Sequence, residues 1–393
     1  MLIDPRRKKW LNIALREPML VARLLKNRVR KKFRLDYRFG NGYGFLPYAV
    51  IIVPTYRCNL RCRMCNQYEG DFKKSLAEIT PGQDEMTLAQ WKTVIDEIAR
   101  WKPSINIFGG EPLLYEKIID LIAYIKSKNL NCSISTNGVL LARHAEALLE
   151  SKIESVNVSL DGPEAIHNFI RGGNQFYQKT IEGIRALQAL KRAHLSAIPR
   201  ININCVITEW NYDHLPEVVA IAETLQIDAL EFQHIIFTSA ELCQANRQFF
   251  ERTFGCPPQA LYEFPVIATD KIAIPKLAAT IAQFQQEARQ PTRSVPIRVI
   301  PNIKLADLPQ YYQQLNYRFE NHICVIPWVR TQINPNGDVT PCMGYVIGNV
   351  KTQPLAEMWN TPRAKHFRAE LKKHGLFPGC VRCCHRRYNK AKR

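Results

Sequence analysis

Cys58, Cys62 and Cys65 stand at spacing C-x3-C-x2-C directly after an apolar, β-branched run, so three thiols share one short loop. Thiolates are soft metal ligands, and their number here is informative. A structural zinc closes with four ligands and ordinary ferredoxin clusters use four cysteines, so a trio leaves one metal position open. On a 4Fe-4S cluster, an open iron binds a small molecule through an amine and a carboxylate. The alternative is a zinc or redox thiol loop completed by a distant cysteine. Gly109-Gly110-Glu111-Pro112 follows a second β-branched run. Two residues without Cβ let a ligand approach the backbone, and a carboxylate there can accept from an ammonium group, although the same four residues also make a plain turn. Ser135-Thr136-Asn137-Gly138 and Ser159-Leu160-Asp161-Gly162 end two further runs. Their hydroxyls, amides and carboxylate suit ribose or carboxylate oxygens, or a cap.

A second cysteine group lies near the end of the chain. Cys324 is followed by twelve residues, Gly337, four more residues and Cys342, and after a gap comes Cys380-Val381-Arg382-Cys383. Two pairs of thiols can close a second cluster, or a zinc site. Cys384 is a spare or replacement for Cys383, and Cys132, Cys205, Cys243 and Cys256 read as buried small apolar residues.

These groups need strands to place them. Short β-branched runs at 49–53, 104–108, 132–136, 155–160, 201–207 and 229–233 alternate with helical periodicity at 87–101, 117–128, 143–150, 177–192 and 214–225, the pattern of parallel strand-helix units. Six such units make a partial, TIM-like (β/α)6 barrel, in which active groups belong at the C-terminal strand ends. All four motifs follow strand runs in order. Prolines break the pattern over 238–320, which reads as an insertion or connector. Residues 329–340, with Asn334-Pro335-Asn336-Gly337 between two runs, predict a hairpin that opens a small second domain. The expected divisions are a basic arm and Gly-rich joint at 1–47, a core barrel at 48–237, the connector at 238–320 and a cysteine domain with a basic tail at 321–393.

The stretch Cys58-Asn59-Leu60-Arg61-Cys62-Arg63-Met64-Cys65 resembles the cluster motif of the radical S-adenosylmethionine (radical SAM) superfamily. The resemblance implies a 4Fe-4S cluster on Cys58, Cys62 and Cys65 whose open iron holds SAM. Reductive cleavage of SAM then yields a 5′-deoxyadenosyl radical that abstracts a substrate hydrogen. Gly109, Gly110, Glu111 and Pro112 resemble the stretch that receives the SAM amino group. Ser135, Asn137, Ser159 and Asp161 match stretches that touch SAM, and Arg171 matches an arginine that meets its carboxylate. Met64 departs from the aromatic residue many relatives place before the third cysteine, although its flexible apolar side chain suits adenine. Cys324, Cys342, Cys380 and Cys383 resemble the twitch form of the SPASM extension, which implies one auxiliary 4Fe-4S cluster. The implied partners are an electron donor such as flavodoxin or ferredoxin and a peptide or small metabolite as substrate.

Composition narrows the rest. The chain has 393 residues with 46% hydrophobic and 23% charged positions and a net charge of +19. The charge is concentrated at the ends: residues 1–38 hold 13 basic and 3 acidic side chains, and 382–393 hold 6 basic and none acidic. A uniformly basic surface for gripping nucleic acid is therefore not expected. Without an apolar run near the ~18 residues that span a bilayer, or a secretory leader, the chain reads as cytoplasmic, with its cysteines reduced. Residues 11–33 predict a basic amphipathic helix, broken at Pro18, which fits an anionic membrane face, an acidic partner or packing on the main domain. A membrane contact through 1–38 motivates the second substrate reading, a lipid or phosphorylated molecule. A non-catalytic iron-sulfur electron carrier or zinc scaffold is the reading from another class.

Overall fold

A computed structural model describes residues 35–65, 85–259, 269–287, 295–315, 317, 319, 323–342 and 344–383. The basic helix expected over 11–33, Cys384 and the basic tail beyond it lie outside the described residues.

The six expected units are present: β1 (Ala49–Ile52), α1 (Leu88–Ile98), β2 (Ser104–Ile107), α2 (Ile118–Ser127), β3 (Cys132–Thr136), α3 (Leu141–Glu150), β4 (Ser155–Ser159), α4 (Glu164–Arg171), α5 (Phe176–Ala193), β5 (Arg200–Ile207), α6 (Leu215–Thr224) and β6 (Ala229–His234). All neighbouring pairs from β1 to β6 are parallel. The helices α1, α2, α3 and α6 each bury an apolar stripe against the sheet. In α1 that stripe is Trp91, Val94, Ile95 and Ile98, and a capping box starts the helix, with the Thr87 hydroxyl accepting from Gln90 N–H and the Gln90 side chain accepting from Thr87 N–H. On the sheet, Val50, Ile52, Ile105, Ile107, Ile134, Val156, Val158, Ile201 and Ile203 are the buried alternate positions beneath these helices. The core is thus a layer between the sheet and its outer helices, a partial TIM-like α/β barrel.

The short helix α4 lies in the stretch that follows β4 and was not apparent from periodicity. A larger difference concerns 238–320. In place of a patternless connector, this stretch carries α7 (Ala240–Phe254), α8 (Ile274–Glu287), β7 (Ile297–Ile300) and α9 (Leu308–Gln313), and β7 extends the sheet parallel to β6. The prolines mislead because they stand at element edges. Pro275 and Pro309 occupy first helical turns, where a missing N–H costs no helical bond, and Pro296 and Pro301 flank β7.

The expected hairpin forms from β8 (Arg330–Ile333) and β9 (Asp338–Thr340), joined by a turn in which Asn334 N–H donates to Asp338 O and Gly337 adopts φ +91°. Strand β10 (Gly348–Asn349) follows, and then α10 (Pro362–His374). β8 also pairs in parallel with β1, Ala49 opposite Arg330 and Ile52 opposite Ile333. One ten-stranded sheet results, in the order β10-β9-β8-β1-β2-β3-β4-β5-β6-β7. The C-terminal hairpin therefore stands beside the strand that feeds the three-cysteine loop. No described helix is long and apolar enough to cross a membrane.

Candidate functional site

The loop after β1 is held at several points. Val53 N–H donates to Ile333 O, and Leu60 is buried. Thr55, Arg57 and Glu85 form a bonded group, with Arg57 Nε and a terminal nitrogen each 3.1 Å from a Glu85 oxygen. Within the loop, Leu60 N–H reaches Cys58 Sγ at 3.5 Å and Cys65 N–H donates to Cys62 O at 3.1 Å. All three cysteines are half-buried. Burial pushes the Cys58 thiol up, and the nearby Cys62 and Glu111 add to that rise.

Gly109 and Gly110 serve the loop itself. A Cβ on Gly110 would stand 2.3 Å from Arg57 O and 2.4 Å from Tyr56 O, and one on Gly109 would stand 2.5 Å from Thr55 O. Their hydrogens let the turn after β2 press against the cysteine loop, where Gly110 N–H donates to Thr55 O and Glu111 N–H to Arg57 O. Glu111 is fully buried, and Pro112 lies in the short 3-10 turn that it caps. Its carboxylate accepts from Leu113 N–H at 3.1 Å, Thr136 Oγ1 at 2.8 Å and Asn137 N–H at 2.7 Å. Burial raises its pKa above the usual carboxylate range, and those three donors oppose the rise. Glu111 thereby braces the ends of β2 and β3. Asn137 continues the brace, its Nδ2 donating to Asn59 Oδ1 in the cysteine loop at 2.8 Å.

Asp161 follows the end of β4 by two residues. It is fully buried; one oxygen lies 2.6 Å from both Arg171 Nε and an Arg171 terminal nitrogen, and the other accepts from Val206 N–H at 3.1 Å. The remaining terminal nitrogen of Arg171 points to Cys62 Sγ at 3.7 Å. Burial works against the guanidinium charge, but Asp161 and Cys62 outweigh it and keep Arg171 protonated. Helix α4 positions this arginine in its last turn. Gly172, at φ +78°, ends the helix with its Cα so near Arg61 O that a Cβ would stand 2.5 Å from it. Arg63 N–H donates to Ile170 O, its Nε to Phe169 O, and its guanidinium lies 4.2 Å from the Phe169 ring centroid, so the cysteine loop and α4 are one packed unit. Met64 is half-buried against the core, and Ser135 and Ser159 are half-buried on the sheet face away from the helices.

Sequence reasoning missed three groups. His167 is buried, accepts Asp161 N–H at Nδ1 and is pushed down to about 3 by burial, so it stays neutral. Glu209, two residues beyond β5, has a side chain only 8% exposed; one oxygen lies 4.0 Å from Lys271 Nζ and the other is buried without a hydrogen-bond partner among the described residues. Arg382, between Cys380 and Cys383, is buried with its guanidinium bonded to the carbonyls of Gln310, Tyr311, Gln314 and Val381. It ties the cysteine pair to α9, and its position inside a C-x2-C spacing gives no cue to burial. Cys324 and Cys342 flank the β8–β9 hairpin, while Cys380 and Cys383 share a turn against α7, where Gly379 N–H donates to Asn246 Oδ1. Among the described residues, no three His, Cys, Asp or Glu side chains stand at metal-ligating spacing. The fit of both sites to iron-sulfur clusters rests on thiol donors, half-burial and braced loops.

Ordered motifs on successive strand ends of a partial barrel, with a thiol-bearing hairpin at its edge, define an iron-sulfur enzyme class, and comparison with known families names it. Residues 52–222 match the radical SAM superfamily and residues 324–384 match SPASM, an iron-sulfur cluster-binding domain. The chain is a radical SAM enzyme with a C-terminal SPASM domain, and its cofactors are a SAM-binding 4Fe-4S cluster, SAM and an auxiliary cluster. It is 25% identical over 354 residues to the tungsten-containing aldehyde ferredoxin oxidoreductase cofactor-modifying protein of Pyrococcus furiosus, covering 84% of this chain and 85% of that one. It is 24% identical over 358 residues to pre-heme d1 synthase of Dinoroseobacter shibae, covering 86% and 79%. Among solved structures, Streptococcus suis SuiB bound to precursor peptide SuiA shares the fold, with TM-score 0.60, 16% identity and coverage of 88% of this chain and 71% of that one.

Proposed function

We propose that Cys58, Cys62 and Cys65 hold the SAM-binding cluster, and that the enzyme uses SAM to abstract hydrogen from a peptide or small metabolite, oxidising or otherwise modifying it. The observation that carries this reading is the packed unit formed by the three-thiol loop, Asn137 and the Asp161–Arg171 pair, which sets a fixed cation beside Cys62. The bound cluster and SAM supply a 5′-deoxyadenosyl radical. The protein's part is positioning and exclusion of water. Arg171, held by Asp161, receives the SAM carboxylate. The backbone of Gly109–Pro112, shaped by Glu111, receives its amino group. Ser135, Asn137 and Ser159 stand at the strand ends for the ribose, and Met64 for adenine. Cys324, Cys342, Cys380 and Cys383 hold the auxiliary cluster, with Arg382 fixing the last pair. The names of the relatives support a small-molecule substrate, and the peptide bound to SuiB supports a peptide.

The test is anaerobic reconstitution with iron and sulfide, followed by dithionite and SAM. 5′-Deoxyadenosine from the wild type and none from Cys58→Ala, Cys62→Ala or Cys65→Ala is expected. An iron-loaded wild type that leaves SAM intact would leave the electron-carrier reading standing.

A further inference from the structure

Ordinary parallel barrels fill their centre with branched apolar side chains. This one does not. On β4, β5 and β6 the helix-facing positions Val156, Val158, Ile201, Ile203, Leu230 and Phe232 are at most 1% exposed. The alternate positions include Asn157, Asn202, Asn204, Glu231 and Gln233, with Val206 and Ala229 as the apolar members, all half-buried, and strand periodicity puts them together on the opposite, concave face. Register sets Asn157 beside Asn202, and Asn204 beside Glu231 beside Arg298. Asn202 Nδ2 donates to Asn157 Oδ1 at 2.9 Å, and Glu231 pairs with Arg298 at 2.7 Å. Among the described residues, Asn202 Oδ1 is left buried with no hydrogen-bond partner. An unmet buried acceptor costs about 1–3 kcal/mol, so a wall of amides is a poor core and a good lining for a polar ligand. The wall extends below the cofactor end: Asn202 precedes Val206, the residue bonded to Asp161, by four positions, roughly 13 Å along a strand.

We propose that this wall binds the substrate, and that the substrate is a polar molecule presenting amide, hydroxyl or carbonyl groups to Asn157, Asn202, Asn204 and Gln233, with a charged group at the Glu231–Arg298 end. An alkyl chain would leave these amides unsatisfied. The inference rests on the radical SAM reading above and specifies its substrate class.

The experiment uses the reconstituted holoenzyme with unlabelled SAM, dithionite and three extracts of cells grown in D2O: a small-molecule aqueous ultrafiltrate, an aqueous peptide fraction and a chloroform lipid extract. Deuterium in 5′-deoxyadenosine reports hydrogen taken from an extract molecule. Label from either aqueous fraction is expected, and which one separates metabolite from peptide. In Asn202→Leu the labelled share of 5′-deoxyadenosine should fall about tenfold, the loss from one unmet hydrogen bond. Asn204→Leu, on the same face, is measured beside it and should fall likewise. Label from lipid alone, label from no fraction, or an unchanged labelled share in both variants overturns the proposal. The absence of any 5′-deoxyadenosine would instead overturn the radical SAM reading itself.

Discussion

Removing the charge of Asp161 should expose how much the site depends on its buried ion pair. The two side chains are 0% and 9% exposed, and Asp161 meets Arg171 through two nitrogens at 2.6 Å. Breaking such a pair from one side costs about 3–5 kcal/mol because the remaining charge is stranded, whereas replacing both partners is close to neutral. Asp161→Asn keeps an oxygen for Val206 N–H and so isolates the charge. Urea unfolding of the reduced, metal-free chain at neutral pH should place Asp161→Asn and Arg171→Met each about 3–5 kcal/mol below the wild type, with the double variant no worse than either single one. The coupling then amounts to about 3 kcal/mol. Single costs under about 1 kcal/mol that simply add would refute the argument that this pair is a buried brace.

Gly110→Ala should drive its Cβ against Arg57 O and displace the cysteine loop, cutting iron from about eight to about four per chain by ferrozine assay. Cys380→Ser with Cys383→Ser should also halve the iron, yet 5′-deoxyadenosine formation should persist; full iron retention would contradict the assignment of the second site. His167 and His234 are both pushed down to about 3 by burial, so each is neutral in the fold. Their stabilisation is complete above the ordinary value of 6.5 and is lost as pH falls toward 3, about 1.4 kcal/mol per pH unit for each. Unfolding free energies from urea titrations at pH 7 and pH 5 should therefore differ less in His234→Gln than in the wild type, by about 2 kcal/mol; an equal difference would contradict a buried neutral His234.

Strand ends were legible because each motif follows a β-branched run, so the trio at Cys58, Cys62 and Cys65 and the order of the later motifs could be placed before any coordinates. The side-chain roles were less legible. Glu111 and Asp161 read as ligand contacts by residue type, and only the fold shows that each also bonds to its neighbours. The same holds for Gly109 and Gly110, whose missing Cβ atoms make room for the chain's own loop. Strand order across the sheet was out of reach too. Nothing local in 330–333 announces pairing with 49–52, and prolines at element edges hid β7. The concave wall was overlooked because the strand runs were read for their β-branched positions, and only register aligns the Asn and Gln between them.

The most direct measurement is electron paramagnetic resonance of the Cys380→Ser, Cys383→Ser double variant, reconstituted anaerobically and reduced, before and after addition of SAM. With only the Cys58, Cys62 and Cys65 cluster left, a reduced 4Fe-4S signal whose g-values move on adding SAM is predicted. A spectrum that SAM does not change would contradict an iron left open at that loop.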